Sequence, residues 1–218
     1  MKEKLLNALK KIYRSYIWLG VLLLVIDIIT KQIIMHSGIE PNSGKLVANW
    51  GFVHINYILN PNAAFGIGVS NEDLSRAIYL IVATLISAGI ITYLVMKRKE
   101  TKLYVRACLI LVITGAVGNM IDRIFYGPLQ GAKNQLFSGM VVDWIDFYWF
   151  WGYIFNIADC CIVIAAFMLI IYIIVLEVKD YMVKRKAEEG PKVVLSKTEK
   201  ERLEEEQKAQ NKSEDESK

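Results

Sequence analysis

Four long apolar stretches alternate with polar segments along this chain. They cover residues 16–35, 77–96, 103–124 and 154–176. A helix that rises about 1.5 Å per residue needs about 20 apolar residues to cross about 30 Å of hydrocarbon. Each stretch is therefore long enough to cross a membrane once, and the pattern predicts four transmembrane helices.

The first stretch has an alternative interpretation as a cleaved signal peptide, because five Lys and Arg residues precede it within residues 1–15. Such a basic n-region is typical of secretory signal peptides. However, the stretch is long, contains Asp27 and Lys31, and lacks a small-residue cleavage site. We therefore expect it to be retained as the first transmembrane helix.

Basic residues are distributed unevenly between the polar segments. Residues 1–15 and 97–106 hold five Lys and Arg each, and five more follow the fourth stretch, whereas the long connections 36–76 and 123–153 hold two each. In membrane proteins the cytoplasmic loops carry the excess of Lys and Arg. The distribution predicts that both termini are cytoplasmic and that the two long connections face outward.

The two long connections have features of their own. Residues 51–58 mix β-branched and aromatic side chains and lead to a turn signal at Asn60, Pro61 and Asn62, which predicts one or two short strands. Residues 144–153 are dense in aromatic rings, which suit the headgroup layer. The predicted fold class is an all-α membrane protein with four transmembrane helices, a small outward β-like cradle and an outward amphipathic, aromatic segment.

The end of the chain differs from the rest in composition. Residues 184–218 are highly charged and nearly free of aromatic side chains, so they cannot bury an apolar core. We expect a membrane domain at residues 1–183 and a solvated cytoplasmic tail, disordered or partly helical, at residues 184–218.

The overall composition agrees with a membrane protein. Hydrophobic residues make up 54% of the 218, only 22% are charged, and the mean hydropathy is +0.33, which is too apolar for one soluble domain. The Lys and Arg residues flank apolar stretches instead of clustering on a polar face, so we expect no binding of nucleic acid. Because there are two His residues and no Cys or His metal-binding motif, we expect no metal and no cofactor.

Ionisable side chains within the predicted helices need an explanation, because each costs about 2.5–3.5 kcal/mol near the centre of a bilayer. Four stand out, namely Asp27, Lys31, Asp122 and Asp159. Asp122 lies roughly 28 Å along the third helix from its cytoplasmic start, and Asp159 lies roughly 8 Å from the outer end of the fourth. These two carboxylates are therefore expected at similar depth near the outer surface.

Each of these two aspartates follows an asparagine by three residues, Asn119 for Asp122 and Asn156 for Asp159. Residues at positions i and i+3 share a helix face. Small residues such as Gly118 would let the third helix approach the fourth closely. The alternative explanation of this pattern is a set of interhelical hydrogen bonds that only holds the bundle together.

Two carboxyl groups held close together cannot both ionise without cost, so such a pair keeps one proton near neutral pH. The ionised member can deprotonate a water molecule while the protonated member hydrogen-bonds a scissile carbonyl, as in aspartic proteases. Asp122 and Asp159 are therefore the candidate catalytic pair. Cys160 and Cys161 are a weaker alternative as nucleophiles, because neither has a histidine nearby in the sequence.

Five segments resemble lipoprotein signal peptidase, also called signal peptidase II, a family of integral-membrane aspartyl peptidases of bacteria. They are DIITK at 27–31, NPNAAFG at 60–66, GAVGNMIDR at 115–123, VVDWIDF at 141–147 and FNIAD at 155–159. The resemblance implies four helices, an outward cradle, and cleavage of diacylglyceryl-modified prolipoproteins before the lipidated cysteine. It also implies that Asp122 and Asp159 are the catalytic pair.

The resemblance further implies where the enzyme works and what it contacts. The expected location is the bacterial cytoplasmic (inner) membrane, as a multi-pass protein whose active site lies near the outer leaflet. The expected partners are prolipoprotein substrates and membrane lipid, and the expected oligomeric state is a monomer.

Supporting or substrate-binding roles are implied for ten further residues: Asp27, Lys31, Asn60, Asn62, Ala64, Phe65, Asn119, Arg123, Asp143 and Asn156. Some of these have alternative explanations. Arg123 could extend to the membrane surface or pair with Asp143, and Asp27 and Lys31 could form an ion pair within their own helix. Asn62 replaces the glycine usual in the family, which the turn tolerates because Asn adopts positive φ.

Two other functions are compatible with ionisable residues in a membrane. A small proton-coupled transporter would relay protons through Asp27, Lys31, Asp122 and Asp159, and a non-enzymatic assembly factor would perform no chemistry. A proton pathway spreads ionisable groups through the depth of the membrane, whereas here the strongest acids cluster toward the outer side. We therefore expect a peptidase.

Overall fold

The computed structural model describes residues 15–61, 71–131, 136–149, 151–188, 202, 205 and 206. In chain order the elements are α1 (Ile17–Met35), β1 (Ala48–Asn49), β2 (His54–Asn60), α2 (Glu72–Met96), α3 (Leu103–Phe125), a short 3₁₀ helix (Pro128–Gln130), β3 (Val141–Asp146), β4 (Ile154–Phe155) and α4 (Ile157–Glu188). Met1–Ile171 forms one compact unit and Tyr172–Lys218 forms another. The sheet and the first three helices belong to the first unit.

Each of the four helices is long and apolar enough to cross a membrane, and most of their aliphatic side chains are exposed, as lipid-facing side chains are. The prediction of four transmembrane helices is confirmed. Helix α2 begins five residues before the predicted position, because the Asn71 side chain caps it by accepting a hydrogen bond from the Leu74 backbone N–H at 3.1 Å.

The fourth helix differs from the predicted span, about 154–176, at both ends. The helix begins at Ile157 and not at residue 154, because Ile154–Phe155 pairs with β3 as strand β4. It continues past residue 176 to Glu188. The polar residues of its last turns are good helix formers that a search for apolar residues misses. The domain boundary at residue 183 stays a prediction, although α4 runs through that position.

The two long connections combine into one antiparallel sheet with the strand order β1-β2-β3-β4. Strand β2 comes from the first long connection and pairs with β3 from the second, with His54 opposite Asp146 and Asn60 opposite Val141. The strands predicted in the first connection are confirmed. Strands β3 and β4 were not predicted, because the aromatic residues around them were interpreted only as a membrane anchor.

A small apolar core fastens the sheet to the ends of two helices. Its buried members are Ile34 in α1, Tyr126 at the end of α3, Val142 in β3, and Ile55, Tyr57 and Leu59 in β2. Burial of one such side chain stabilises the fold by about 1.5–3 kcal/mol. The sheet is therefore held against the ends of α1 and α3, where the candidate carboxylates lie.

Helix α3 approaches the start of α4 closely through two glycines. A Cβ added at Gly118 would lie 2.8 Å from the Ala158 Cβ and 2.8 Å from the Asp27 Oδ2, and a Cβ at Gly115 would collide with the Ala158 carbonyl oxygen. The close approach that the sequence predicted at these glycines brings α1, α3 and α4 together at one point.

The stretch after α3, for which the sequence indicated no role, folds back on the end of that helix. The backbone N–H groups of Phe137 and Gly139 donate to the carbonyls of Ile124 and Arg123, at 2.9 and 3.2 Å. The Gln130 side chain exchanges two hydrogen bonds with the Met140 backbone, at 2.7 and 2.8 Å. These bonds satisfy carbonyls at the helix end and direct the chain into β3.

Substitution Gly118→Ala should destabilise the protein, because the added methyl group would overlap the Ala158 and Asp27 side chains at 2.8 Å. Overpacking of this kind costs about 1–3 kcal/mol. The matched control is Gly89→Ala in α2, where a Cβ meets nothing within 4 Å and Ala is the better helix former. Thermal unfolding in the same detergent measures both variants, and equal melting temperatures would contradict the predicted close contact.

Candidate active site

Asp159 lies in the first turn of α4 and is partly exposed, and its neighbour Asn156 precedes the helix. The Asn156 side-chain oxygen accepts a hydrogen bond from the Asp159 backbone N–H at 2.9 Å, and the Asp159 Oδ2 accepts one from the Asn156 backbone N–H at 3.2 Å. This reciprocal pair is a capping box, which starts the helix and fixes the carboxylate. The three-residue spacing therefore marks a helix start here and not a shared helix face.

Asn119 of α3 joins this helix start to the rest of the site. Its Nδ2 donates to the Asp159 Oδ1 at 2.7 Å, and its Oδ1 accepts from the Asn156 Nδ2 at 3.1 Å. An amide group has both a donor and an acceptor, so Asn119 can donate to the Asp159 carboxylate and accept from the Asn156 amide at the same time. Asn119 thereby fixes the orientation of both Asp159 and Asn156.

Asp143 lies on β3 and is buried, with only 3% of its surface exposed. Its Oδ1 accepts a hydrogen bond from the Asn156 Nδ2 at 2.7 Å, and its Oδ2 accepts one from the Asn60 Nδ2 at 2.9 Å. Burial, together with the nearby negative charge of Asp159, raises the pKa of Asp143 to about 8. At neutral pH this carboxyl group therefore retains its proton.

Asp122 lies near the end of α3 and is also buried, with 1% exposed. Its Oδ2 contacts the Lys31 Nζ at 2.7 Å and accepts a hydrogen bond from the Val142 backbone N–H at 3.1 Å. Its Oδ1 is buried and has no hydrogen-bond partner within the described part of the chain. Asp122 thus connects α3 to the residue that precedes Asp143 on β3.

Lys31 of α1 is fully buried and contacts three oxygen atoms. Its Nζ lies 2.8 Å from the Asp27 Oδ2, 2.7 Å from the Asp122 Oδ2 and 3.2 Å from the Asn119 Oδ1. The contact with Asn119 is a hydrogen bond, and the contacts with the two carboxylate oxygens are ion pairs. The helix-internal ion pair between Asp27 and Lys31 exists, and the same lysine also contacts the candidate site.

Asp27 and Arg123 complete the cluster. The Asp27 Oδ1 accepts a hydrogen bond from the Ala158 backbone N–H at 2.9 Å, so α1 is bonded to the first turn of α4. Arg123 is buried and does not extend to the surface. Its Nη1 donates to the Asn119 carbonyl at 3.2 Å, and its guanidinium lies 5.5 Å from the centre of the Tyr79 ring.

The structure brings together nine of the twelve residues predicted for the site: Asp27, Lys31, Asn60, Asn119, Asp122, Arg123, Asp143, Asn156 and Asp159. The other three, Asn62, Ala64 and Phe65, lie outside the described residues. Sequence reasoning missed two backbone donors, the N–H groups of Val142 and Ala158. No side-chain pattern identifies such donors, because they depend on the tertiary fold alone.

Within the described ranges, no group of three or more His, Cys, Asp or Glu side chains is arranged to hold a metal ion. The polar groups at the site are carboxyl, amide, ammonium and guanidinium groups. Among them Asp143 and Asp159 share one amide neighbour, Asn156. They differ in solvent exposure, because Asp143 is buried and Asp159 is partly exposed. A buried protonated acid beside a more accessible carboxylate can perform general acid–base chemistry.

Comparisons with known proteins agree with this arrangement. Residues 19–175 match the sequence profile of the family described as Signal peptidase (SPase) II. The chain is 32% identical over 165 residues to the lipoprotein signal peptidase of Clostridioides difficile (strain 630), across 76% of this chain and 98% of that relative. It is 35% identical over 168 residues to the lipoprotein signal peptidase of Symbiobacterium thermophilum, across 74% and 95%.

The fold is similar to that of a bacterial membrane enzyme solved by the in meso method at 2.3 Å resolution. The TM-score is 0.57, the sequences are 26% identical, and the match covers 73% of this chain and 87% of the other.

Proposed function

The chain belongs to the signal peptidase II family of aspartic-type peptidases, which remove signal peptides from lipoproteins, and from this premise we propose which of its carboxyl groups perform the reaction. The transporter alternative receives no support from the comparisons. The observation that carries the proposal is the amide of Asn156, which contacts Asp143 through its side-chain nitrogen and the Asp159 backbone through its oxygen.

The proposed catalytic pair is Asp143 and Asp159. Their negative charges act on each other, and burial raises the pKa of Asp143 to about 8, so a single proton resides on Asp143 at neutral pH. Asp159 is the more accessible of the two. A division of roles between a buried acid and an accessible base is how two carboxyl groups perform opposite tasks at one pH.

In the proposed reaction the Asp159 carboxylate removes a proton from a water molecule, and the oxygen of that water attacks the scissile carbonyl carbon. The protonated Asp143 donates a hydrogen bond to the carbonyl oxygen as negative charge develops on it. The tetrahedral intermediate then collapses, the C–N bond breaks, and the proton taken up by Asp159 passes to the leaving amine. Both carboxyl groups return to their starting states.

Asp122, which the sequence assigned to the catalytic pair, has contacts that support a positioning role. Its Oδ2 is bonded to Lys31 and to the backbone N–H of Val142, the residue immediately before Asp143. Lys31 also lies between Asp122 and Asn119, which is the residue that contacts Asp159. We propose that Asp122 holds β3 in register so that Asp143 faces Asp159. The assignment of Asp122 as a catalytic residue stays a prediction, which the next experiment tests.

Substitutions Asp143→Asn and Asp159→Asn should each reduce turnover of a diacylglyceryl-modified substrate by about 10²- to 10⁴-fold, because Asn is nearly isosteric but cannot exchange the proton. Both purified variants should keep the melting temperature of the unmodified protein. Asp122→Asn should lower the melting temperature together with the activity, because the buried Lys31 loses one of its two charged partners. An inactive but fully stable Asp122→Asn beside an active Asp143→Asn would restore the pair predicted from sequence.

The rate should fall as the pH rises through about 8, because the pKa of Asp143 is about 8 and its protonated form is the active one. Replacing Asn60 with Ala removes a hydrogen bond that stabilises the ionised form of Asp143. The pH at which the rate falls should therefore rise by about 1 unit or less. The control is Asn56→Ala on the same strand, since Asn56 donates to Asp146 instead, at 2.6 Å. Profiles of kcat/KM against pH for the three proteins provide the measurement, and a profile that Asn60→Ala leaves unmoved would contradict the role of Asp143.

We also propose that the substrates are diacylglyceryl-modified prolipoproteins cut before the lipidated cysteine, as the sequence resemblance implies. The lipid anchor would position the scissile bond near the membrane surface. In support, the carboxylates lie near the end of α3 and the start of α4, roughly 28 Å along α3 from the basic segment 97–102. This placement supports a site toward the outer leaflet of the bacterial cytoplasmic membrane, with cytoplasmic termini. We propose, as the sequence resemblance implies, that the enzyme is a monomer.

Precursors that carry diacylglyceryl should be cleaved much faster than matched precursors without it, because the anchor supplies the positioning that a soluble substrate lacks. The two substrates are compared at equal enzyme concentration in the same detergent. Equal rates for both would contradict the proposed requirement for lipid while leaving the peptidase activity itself intact.

A further inference from the structure

A groove lies at the end of the helices remote from the carboxylates. It has a volume of 560 Å³ and lies between the first turn of α1, the last turns of α2 and the first turns of α3. Most of its lining is aliphatic, with Ile17, Val95 and Ile110 as representatives, whereas Arg98 and Arg106 line it at the helix ends. A lipid-facing groove of this kind has an apolar part for hydrocarbon and a cationic end.

Arg106 is held in place by bonds that use only part of its donor capacity. Its Nη2 donates to the Arg98 carbonyl at 2.6 Å and to the Thr101 carbonyl at 3.4 Å. A guanidinium group has five N–H donors in a planar fork that matches a phosphate group. The carbonyl contacts therefore fix the guanidinium, and further donors remain to bind an anion in the groove.

The surrounding turn adds more positive charge. Residues 97–102 contain four basic side chains and one acidic side chain, Glu100, whose carboxylate pairs with the Lys97 ammonium at 2.9 Å. Basic pockets between transmembrane helices at a membrane surface are suited to anionic lipid headgroups. The charge of this end of the molecule is complementary to a lipid phosphate and not to a cation.

We propose that the groove binds one anionic phospholipid, with its phosphate at Arg98 and Arg106 and an acyl chain along the aliphatic side chains of α1, α2 and α3. Arg106 and Ile113, at opposite ends of the lining on α3, are seven residues apart, or about 10 Å along the helix. This length accommodates the first part of an acyl chain below its headgroup.

Two other occupants fit the charge less well. The signal helix of a substrate begins with a basic n-region, which Arg98 and Arg106 would repel at this end. A second copy of this chain would present the same two arginines and meet the same repulsion. The groove is also independent of the proposed function, because Arg106 is sixteen residues, or about 24 Å, from Asp122 along α3.

The test is native mass spectrometry of the purified full chain. The protein is mixed in detergent with either phosphatidylglycerol or phosphatidylcholine of the same acyl chains, and the lipid that stays bound after the detergent is removed is measured. The unmodified protein should retain one phosphatidylglycerol in preference to phosphatidylcholine. The double variant Arg98→Gln with Arg106→Gln should weaken that retention by about tenfold, because charge-assisted hydrogen bonds to the phosphate are lost. The control Lys99→Gln with Lys102→Gln removes the same amount of charge from the turn before α3, at residues that do not line the groove, and should weaken retention less than about twofold.

A second variant, Val95→Trp, fills the groove without changing the charge and should also release the lipid. Cleavage of a lipidated precursor in micelles should be unchanged in all of these variants, since none touches the carboxylates. Equal retention of the two lipids, or an equal loss in the arginine and lysine variants, would overturn the proposal. A photoreactive residue placed at position 95 identifies what occupies the groove. Crosslinking to the substrate, to residues 1–14 or to a second copy, without crosslinking to labelled phosphatidylglycerol, would overturn the proposal as well.

Discussion

The buried ammonium group of Lys31 is the interaction on which the rest of the site depends. A fully buried charge is tolerated only when nearby opposite charges and hydrogen-bond acceptors replace the water that it has lost. Here the replacements are Asp27 on the same helix, and Asp122 and Asn119 on α3. Each of these three residues makes a further bond to an element of the site, Asp27 to Ala158, Asn119 to Asp159 and Asp122 to the Val142 backbone N–H. The requirement to satisfy one cation therefore fixes the relative positions of three helices.

The sheet places a carboxyl group, that of Asp143, beside a membrane helix without making it part of a helix. Asp143 reaches the start of α4 from a strand, and that strand is paired with β2 and bonded to Asp122 through the Val142 N–H. A strand that is hydrogen-bonded on both edges has little freedom to change register, because a one-residue slip would turn every side chain to the opposite face. Asp143 is thus held by backbone pairing, whereas Asp159 is held by a helix cap.

The sequence predicted the parts of this architecture that depend on local composition. The lengths of the apolar stretches predicted the four helices, and the cost of burying charge identified Asp27, Lys31, Asp122 and Asp159. The parts that depend on distant pairing were not predictable in this way. Strand β3 forms because residues 54–60 lie opposite it, and the bond between Asn60 and Asp143 joins positions 83 residues apart. Depth along a helix selected Asp122, while the contacts of Asn156 with both Asp143 and Asp159 favour Asp143 as the partner of Asp159.

The spacing of Asp27 and Lys31 has a consequence for how the protein is made. Asp27 meets its last partner, Ala158, 131 residues later in the chain, and Lys31 meets Asn119 after 88 residues. At about 5–20 residues per second of synthesis, roughly 7–26 s separate the emergence of Asp27 from that of Ala158. Throughout this interval the first helix lacks α4 beside it, and it also lacks a complete α3 until Phe125 has been synthesised. Because the two charges are one helical turn apart, they neutralise each other within that helix, so the segment enters the bilayer as a net-neutral unit before the site exists.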